Sequence, residues 1–187
     1  METALSDFLP AFNRTMNFEG YDLEDVPGDS GGLTFCGIAQ NPNPTWQGWP
    51  IIQQYLQAGP DFETAKKNAL ADKNLWGMVE VFYEDGIWAA NFLGQLVSQE
   101  LANQAYDAIV NLGTSRPVRW LQMLVNVEQD GKMGPETVEA CNNDKDPASL
   151  VLTFIGMRKA EYESIVTRNP EDEKFLDGWL SRCMLSV

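Results

Sequence analysis

Histidine is absent from the 187-residue sequence. That removes Ser-His-Asp and Cys-His mechanisms and the commonest zinc ligand sets in one step. Any acid–base chemistry then falls to carboxylates, Tyr, Lys or Cys. Cysteine is scarce. Cys36, Cys141 and Cys183 make 3, with no Cys-x-x-Cys spacing, which argues against a disulfide framework or a metal cluster. Cys141 and Cys183 fall at apolar helical positions and read as small core residues. Basic residues are also few: 13 Lys and Arg against 27 Asp and Glu, a net charge of −14. Phosphate binding needs a basic face, so this balance argues against nucleic acid as a partner and against adhesion to anionic membranes. No apolar run is long enough to cross a bilayer. The opening METALSDFLPAFNRTM lacks the basic-then-apolar order of a signal peptide. The expectation is a protein synthesised in the cytoplasm without membrane insertion, which works outside the cell only if something else carries or releases it.

Apolar residues are plentiful at 44%, enough for a sizeable core in one domain or one domain with a small appendage. Leu5, Phe8, Leu9, Phe12 and Met16 recur at helical spacing and predict an amphipathic helix starting near Thr3 or Ser6 and ending at Phe18-Glu19-Gly20. A turn-rich segment follows, and then Leu33–Ile38, which reads as a short strand or hairpin. Residues 41–50, with Pro42, Pro44 and Pro50, read as irregular. Asp61 opens a second helix running toward Trp76. Residues 77–95 are ambiguous. Further helices are predicted over Leu96–Leu112 and Val118–Val125, from Pro135 through Cys141, from Pro147 past Tyr162, and after Pro170 with Phe175, Trp179 and Cys183 four apart. The predicted class is mainly α with one small β element. Asn142–Asp146 is the best internal boundary by composition.

The stretch FEGYDLEDVPGDSGGLTFCGI, residues 18–38, concentrates the chemistry. Glu19 closes an apolar helical face between Phe18 and Tyr21. A helix C-terminus and apolar neighbours both favour the protonated carboxyl, which is the form that hands a proton to a leaving glycosidic oxygen. A solvated helix-end residue is the plainer reading. If Gly31 and Gly32 fold the chain back, Asp29 and Thr34 face Glu19 across a cleft. Asp29 then stabilises an oxocarbenium ion or activates water, and Thr34 orients that water. The alternatives are an Asx-turn for Asp29 and ordinary strand propensity for Thr34. Asp22, Glu24 and Asp25 read as a solvated face, any of which could replace Asp29.

Glu19-Gly20-Tyr21, then Asp29-Ser30-Gly31-Gly32-Leu33-Thr34, then Gly37-Ile38, resemble the signature of glycoside hydrolase family 108: Glu-Gly-Gly-Tyr, Asp-x-Gly-Gly-x-Thr, Gly-Ile. Asp107 to Gly113 is similar to the family's Asp-x-x-x-Asn-x-Gly helix end. Trp120-Leu121-Gln122 and Asp130 to Thr137 resemble its C-terminal peptidoglycan-binding region, and Phe175 to Arg182 its closing Lys-Gly-Trp-x-x-Arg element. Here the second glycine after the glutamate is missing, the spacing to Asp29 and Thr34 is one residue longer, and Gly77–Gly94 reads as an insertion. The resemblance implies an α-helical lysozyme-like fold with a small β-hairpin near 33–38. It implies a catalytic region over 1–112 and a peptidoglycan-binding-like helical region over 113–187 packed on it, or one compact domain.

Family members are lysozyme-like muramidases of phages and bacteria, some described as secretion activators because they open the wall for export. The implied activity is cleavage of the β-1,4 bond of peptidoglycan glycan strands, with Glu19 as acid, Asp29 assisting, Thr34 positioning water, and no metal or organic cofactor. Two alternatives remain open: a non-catalytic wall-binding or export-assisting protein on the same fold, and lytic transglycosylase chemistry. Tyr21 and Trp46 are candidate glycan contacts, Trp46 from its Pro-rich loop shared with Trp49. Asn111 bonds an N-acetyl group or caps its helix. Trp120, Trp179 and Tyr162 read as core. Asp130-Gly131-Lys132 lacks calcium-loop ligand spacing and reads as a turn.

Overall fold

The computed structural model describes residues 5–28 and 30–185. Thr3 and Asp29 lie outside the described residues. Two compact units divide the chain: Glu19–Glu84, and Met1–Phe18 with Asp85–Val187. The sequence position 112/113 falls inside the second of these.

In the unit Glu19–Glu84, three two-residue strands form an antiparallel sheet in the order β1 (Leu23–Glu24), β2 (Thr34–Phe35), β3 (Ile38–Ala39). Thr34 pairs with Ala39 and Phe35 with Ile38, so β2 and β3 are the expected hairpin. Strand β1 arises in the acidic stretch read as a solvated face. Leu23 is fully buried there while Glu24 is exposed, so one apolar residue in an acidic run is enough to dock it. The region 41–50 is irregular only to Gly48. Helix α2 (Trp49–Ala58) starts at Trp49, with Pro50 in its first turn, where a missing N–H costs nothing. It buries only Trp49 and Ile52.

The single helix expected from Asp61 to Trp76 is two, α3 (Phe62–Ala71) and α4 (Lys73–Tyr83). Asp72 makes the break: its carboxylate accepts from Asn74 N (2.8 Å) and Leu75 N (3.4 Å) as the cap of α4. It also accepts from the Tyr55 hydroxyl on α2 at 2.9 Å. Asp61 caps α3 in the same way, accepting from Thr64 N at 2.8 Å.

In the other unit, α1 (Phe8–Glu19) contributes its residues up to Phe18. Phe8, Ala11, Phe12, Thr15 and Met16 are buried. Leu5 and Leu9, expected on that face, are 58% and 54% exposed. The buried stripe runs through the small Ala11 and Thr15 instead, rotating both leucines outward. The Phe8 ring meets Phe12, Trp88 and Tyr106 at 5.2, 5.9 and 6.0 Å. The ambiguous stretch resolves into the end of α4, a π-helical turn (Glu84–Ala89) and a 3-10 turn (Leu93–Gln95).

Helix α5 (Gln99–Leu112), capped by Ser98, is buried at every position from Leu101 to Ile109. It packs against α6 (Ser115–Leu124) and α8 (Pro147–Arg168). Pro135 opens α7 (Pro135–Asn142) and Pro147 opens α8, as expected. Helix α9 (Glu173–Ser181) packs on α8. Phe175 is exposed, and Cys183 is buried beyond the helix end. Tyr162 is fully buried, whereas Trp120 and Trp179 are only half-buried. Asp130 accepts from Lys132 N (2.8 Å) and from the Gln122 side chain (2.7 Å), a turn held by protein groups.

The cysteines are buried and unpaired. Burial pushes the Cys36 and Cys141 thiols up to about 12 and raises Cys183 as well. A raised pKa means a scarcer thiolate at any given pH, and the thiolate is the nucleophile. At pH 8 a disulfide reagent is therefore expected to label none of the cysteines in the folded protein and all of them after denaturation. Rapid labelling without denaturant would show that these sites open.

Candidate functional site

Helix α1 stops at Glu19 because Gly20 adopts a left-handed φ of +83°, a conformation glycine enters without steric cost. Glu19 is left half-buried at the helix end. Its stem lies against the hairpin turn: a Cβ placed on Gly37 would sit 3.9 Å from the Glu19 Cβ. The same Cβ would sit 2.5 Å from the Tyr83 hydroxyl oxygen. That hydroxyl donates to the Cys36 carbonyl at 3.0 Å and is the brace beneath the turn. Gly37 itself has φ of +81°.

Space and backbone conformation therefore both demand glycine at position 37. Gly37→Ala is expected to cost about 2 kcal/mol, from a left-handed alanine plus displacement of a buried tyrosine. The melting temperature should fall by roughly 4–8 °C, and the activity assayed below should fall further than the folded fraction does. An alanine variant with unchanged melting and activity would contradict this packing.

Thr34 sits in β2, half-buried, two residues before Cys36, and its hydroxyl donates to the Gly32 carbonyl at 3.1 Å. The loop leading to it is pinned by Asn41, whose backbone N donates to Gly31 O (3.0 Å) and whose side chain donates to Ser30 O (2.8 Å). Of the other acids in this stretch, Asp22 pairs with Lys66 at 2.5 Å and accepts from Leu23 N at 2.7 Å. The Asp22 carboxylate raises the pKa of Lys66, chiefly by hydrogen bonding. Asp22 is thereby occupied as an ion-pair partner, and Glu24 and Asp25 are exposed.

Tyr21 is exposed with its ring 5.1 Å from that of Trp76. Trp46 is half-buried, stacked at 6.1 Å on Phe35 and edge-on to Trp49 at 5.0 Å. It forms one wall of a groove of about 580 Å³ that also presents Gln47, Lys73, Asn74, Met78 and Phe82. Glu19, Tyr21, Thr34 and Trp46 thus belong to one compact unit.

Asn111 belongs to the other, where its side-chain oxygen accepts from the Tyr162 hydroxyl at 2.9 Å. That bond is part of a buried polar network. Arg158, fully buried, donates to Asp107 and Gln104, each at 2.5 Å. Arg182 donates to Asp107 at 2.8 and 3.2 Å. Burial works against the Arg158 charge, but the Asp107 carboxylate, together with Tyr162 and Cys183, more than offsets it and raises the guanidinium pKa. Tyr83 and Arg158 were not singled out by sequence reasoning, and Arg182 only as the last residue of a motif, with no partner assigned. Tyr83 lay in the ambiguous aromatic stretch, and the arginines pair with residues 51 and 75 positions away. Among the described residues, no group of three or more Cys, Asp or Glu is placed to hold a metal ion, and no helix is long and apolar enough to cross a membrane.

A mainly helical chain whose first helix ends in a glutamate against a small antiparallel hairpin has the lysozyme-like fold. The chain belongs to the glycosyl hydrolase 108 family, whose model matches residues 12–113. A second family model, described as a predicted peptidoglycan domain, matches residues 116–184. The structure of Brucella abortus SagA is similar in fold, with a TM-score of 0.60 at 21% identity over 93% of this chain and 87% of that one. No curated protein sequence matches the chain. The two families define a glycosidase-type protein directed at peptidoglycan, with the cell wall as its place of action.

Proposed function

We propose that the protein is an N-acetylmuramidase that cleaves the β-1,4 bond between N-acetylmuramic acid and N-acetylglucosamine, with the Glu19 carboxyl as general acid. The observation that carries this reading is the Glu19 stem seated against the hairpin turn at Gly37, in a chain of a glycosyl hydrolase family. A carboxyl half-withdrawn from water at a helix end is suited to deliver a proton to the departing sugar oxygen, and proton donation there is what the oxocarbenium-like transition state requires. Asp29 serves as the second carboxylate and Thr34 orients the attacking water. Because Asp22 is paired with Lys66, Asp29 is a better candidate for that role than Asp22.

Trp46 and Tyr21 contribute aromatic surface for pyranose rings. Trp46 supports this by lining a groove whose side-chain amides, Gln47 and Asn74, suit the hydrogen-bonding groups of N-acetyl sugars. Asn111 ties its helix end to α8 through its side-chain oxygen, bonded to the Tyr162 hydroxyl.

The test is incubation with purified peptidoglycan. The wild-type chain should release reducing ends, and Glu19→Gln should release none above background. Anhydromuramic ends in the product mass spectrum would assign transglycosylase chemistry instead. Retention of peptidoglycan without any bond cleavage would make the protein a wall-binding one.

A further inference from the structure

We infer that the segment matched as a peptidoglycan domain also clamps the end of helix α1, with Arg182 as a positioning residue for the Glu19 carboxyl. The functional half of this rests on the role of Glu19 proposed above; the clamp stands on geometry. Arg14 and Phe18 lie four residues apart on α1, hence on one face of it. Both grip the chain that follows α9. The Arg14 guanidinium donates to the carbonyls of Arg182 (3.0 Å) and Met184, and is itself held by Glu100 at 3.1 Å. The Phe18 ring lies against the Arg182 guanidinium, whose central carbon is 5.2 Å from the ring centroid.

Arg182 is not free to follow that ring. Its Nη2 donates to Asp107 Oδ1 at 2.8 Å and its Nε to Asp107 Oδ2 at 3.2 Å, a two-point grip by a carboxylate that is itself fully buried. The side chain of Arg182 is only 6% exposed. Gln104 adds a further tie by donating to the Met184 carbonyl at 2.9 Å. The C-terminal half of α1 is therefore fastened at Arg14 and at Phe18, the residue immediately before Glu19.

A module that only bound wall polymer would need neither attachment. Displacement of a reacting group by about 1 Å can cost on the order of 100-fold in rate. The motif arginine that closes the C-terminal segment and the motif aspartate of α5 thus act together to fix a helix end. Proton donation depends on that helix end being still.

The test uses the full chain with Phe18→Leu and Phe18→Tyr. Phe18 is 39% exposed, so both variants are expected to fold with melting temperatures near wild type. Leucine removes the ring from the guanidinium and tyrosine keeps it. Phe18→Leu should lower kcat on purified peptidoglycan about tenfold with KM within twofold, and should speed amide exchange at residues 16–20 by a similar factor. Phe18→Tyr should recover both. Equal kcat and equal exchange in the two variants, or a loss confined to KM, would overturn the clamp. A wild-type chain that cleaves no peptidoglycan would defeat the role of Glu19 instead, and the exchange comparison would then decide the clamp by itself.

Discussion

Glu19→Gln is expected to lower the rate of peptidoglycan cleavage by about 10³-fold, within the 10² to 10⁴ range that a positioned general acid supplies. The substitution is nearly isosteric. It keeps an oxygen acceptor and the stem that packs on the hairpin turn, and it removes only the transferable proton. The leaving oxygen of a glycoside is a poor leaving group when it departs as an alkoxide, so loss of the proton falls on kcat. Substrate contacts made elsewhere are untouched, and KM should move little. The melting temperature should stay within about 2 °C, because a neutral amide replaces a half-buried carboxyl with no change in volume. A variant with full cleavage and unaltered products would remove Glu19 from the chemistry.

Glu19→Asp separates proton chemistry from reach. Aspartate retains the acid but shortens the stem by one methylene, withdrawing the proton by more than 1 Å. Misplacement on that scale costs about as much as a lost hydrogen bond to the transition state. The aspartate variant should therefore recover only part of the rate. If it were instead fully active, the rigid seating of Glu19 against Gly37 would have no catalytic consequence.

The parts of this molecule that were legible in the sequence are those with a local period or a local punctuation mark. The helix ending at Glu19 was visible because apolar spacing stops at a glycine, and the hairpin because Leu33–Ile38 follows a pair of glycines. Pro135 and Pro147 marked helix starts correctly, since proline is well suited to a first helical turn. The break at Asp72 was hidden because Ala65, Ala69 and Leu75 keep an almost continuous apolar pattern across it, and only the capping bonds of Asp72 divide the run. Helix α2 was hidden because it buries so little.

The candidate site was half legible for the same reason. The place of Glu19 at a half-buried helix end could be read from its flanks. Tyr83 could not, since nothing local distinguishes a tyrosine that braces a turn 47 residues away from a tyrosine in an ordinary core. The polar network shows the limit most clearly. Asp107 and Arg182 each stand in a motif that the sequence displays, yet pairing across 75 positions leaves no periodicity to read. The motifs announced that these residues matter, and the structure supplies the reason: two buried arginines share one buried carboxylate.

That sharing sets the largest expected loss of stability. Asp107→Ala would leave Arg158, fully buried, and Arg182, nearly so, without their common counter-ion. Breaking a buried pair from one side costs about 3–5 kcal/mol, because the surviving charge is stranded out of water. Total stability for a domain is about 5–15 kcal/mol. For a chain of this length the melting temperature should fall by roughly 6–20 °C.

The pair Arg116–Glu161 is the contrast: Arg116 is 49% exposed, Glu161 keeps Arg168 at 2.9 Å after its removal, and Arg116→Ala should change stability by no more than about 0.5 kcal/mol. Charge alone cannot separate these outcomes, since each variant removes one member of an ion pair; desolvation can. Replacing Asp107, Arg158 and Arg182 together by apolar residues of similar size should recover much of the loss, because no stranded charge remains. Such a variant would still lack the grip on Phe18, so it should melt near wild type while its peptidoglycan cleavage stays low. Recovery of stability and activity together would show that the network serves folding only.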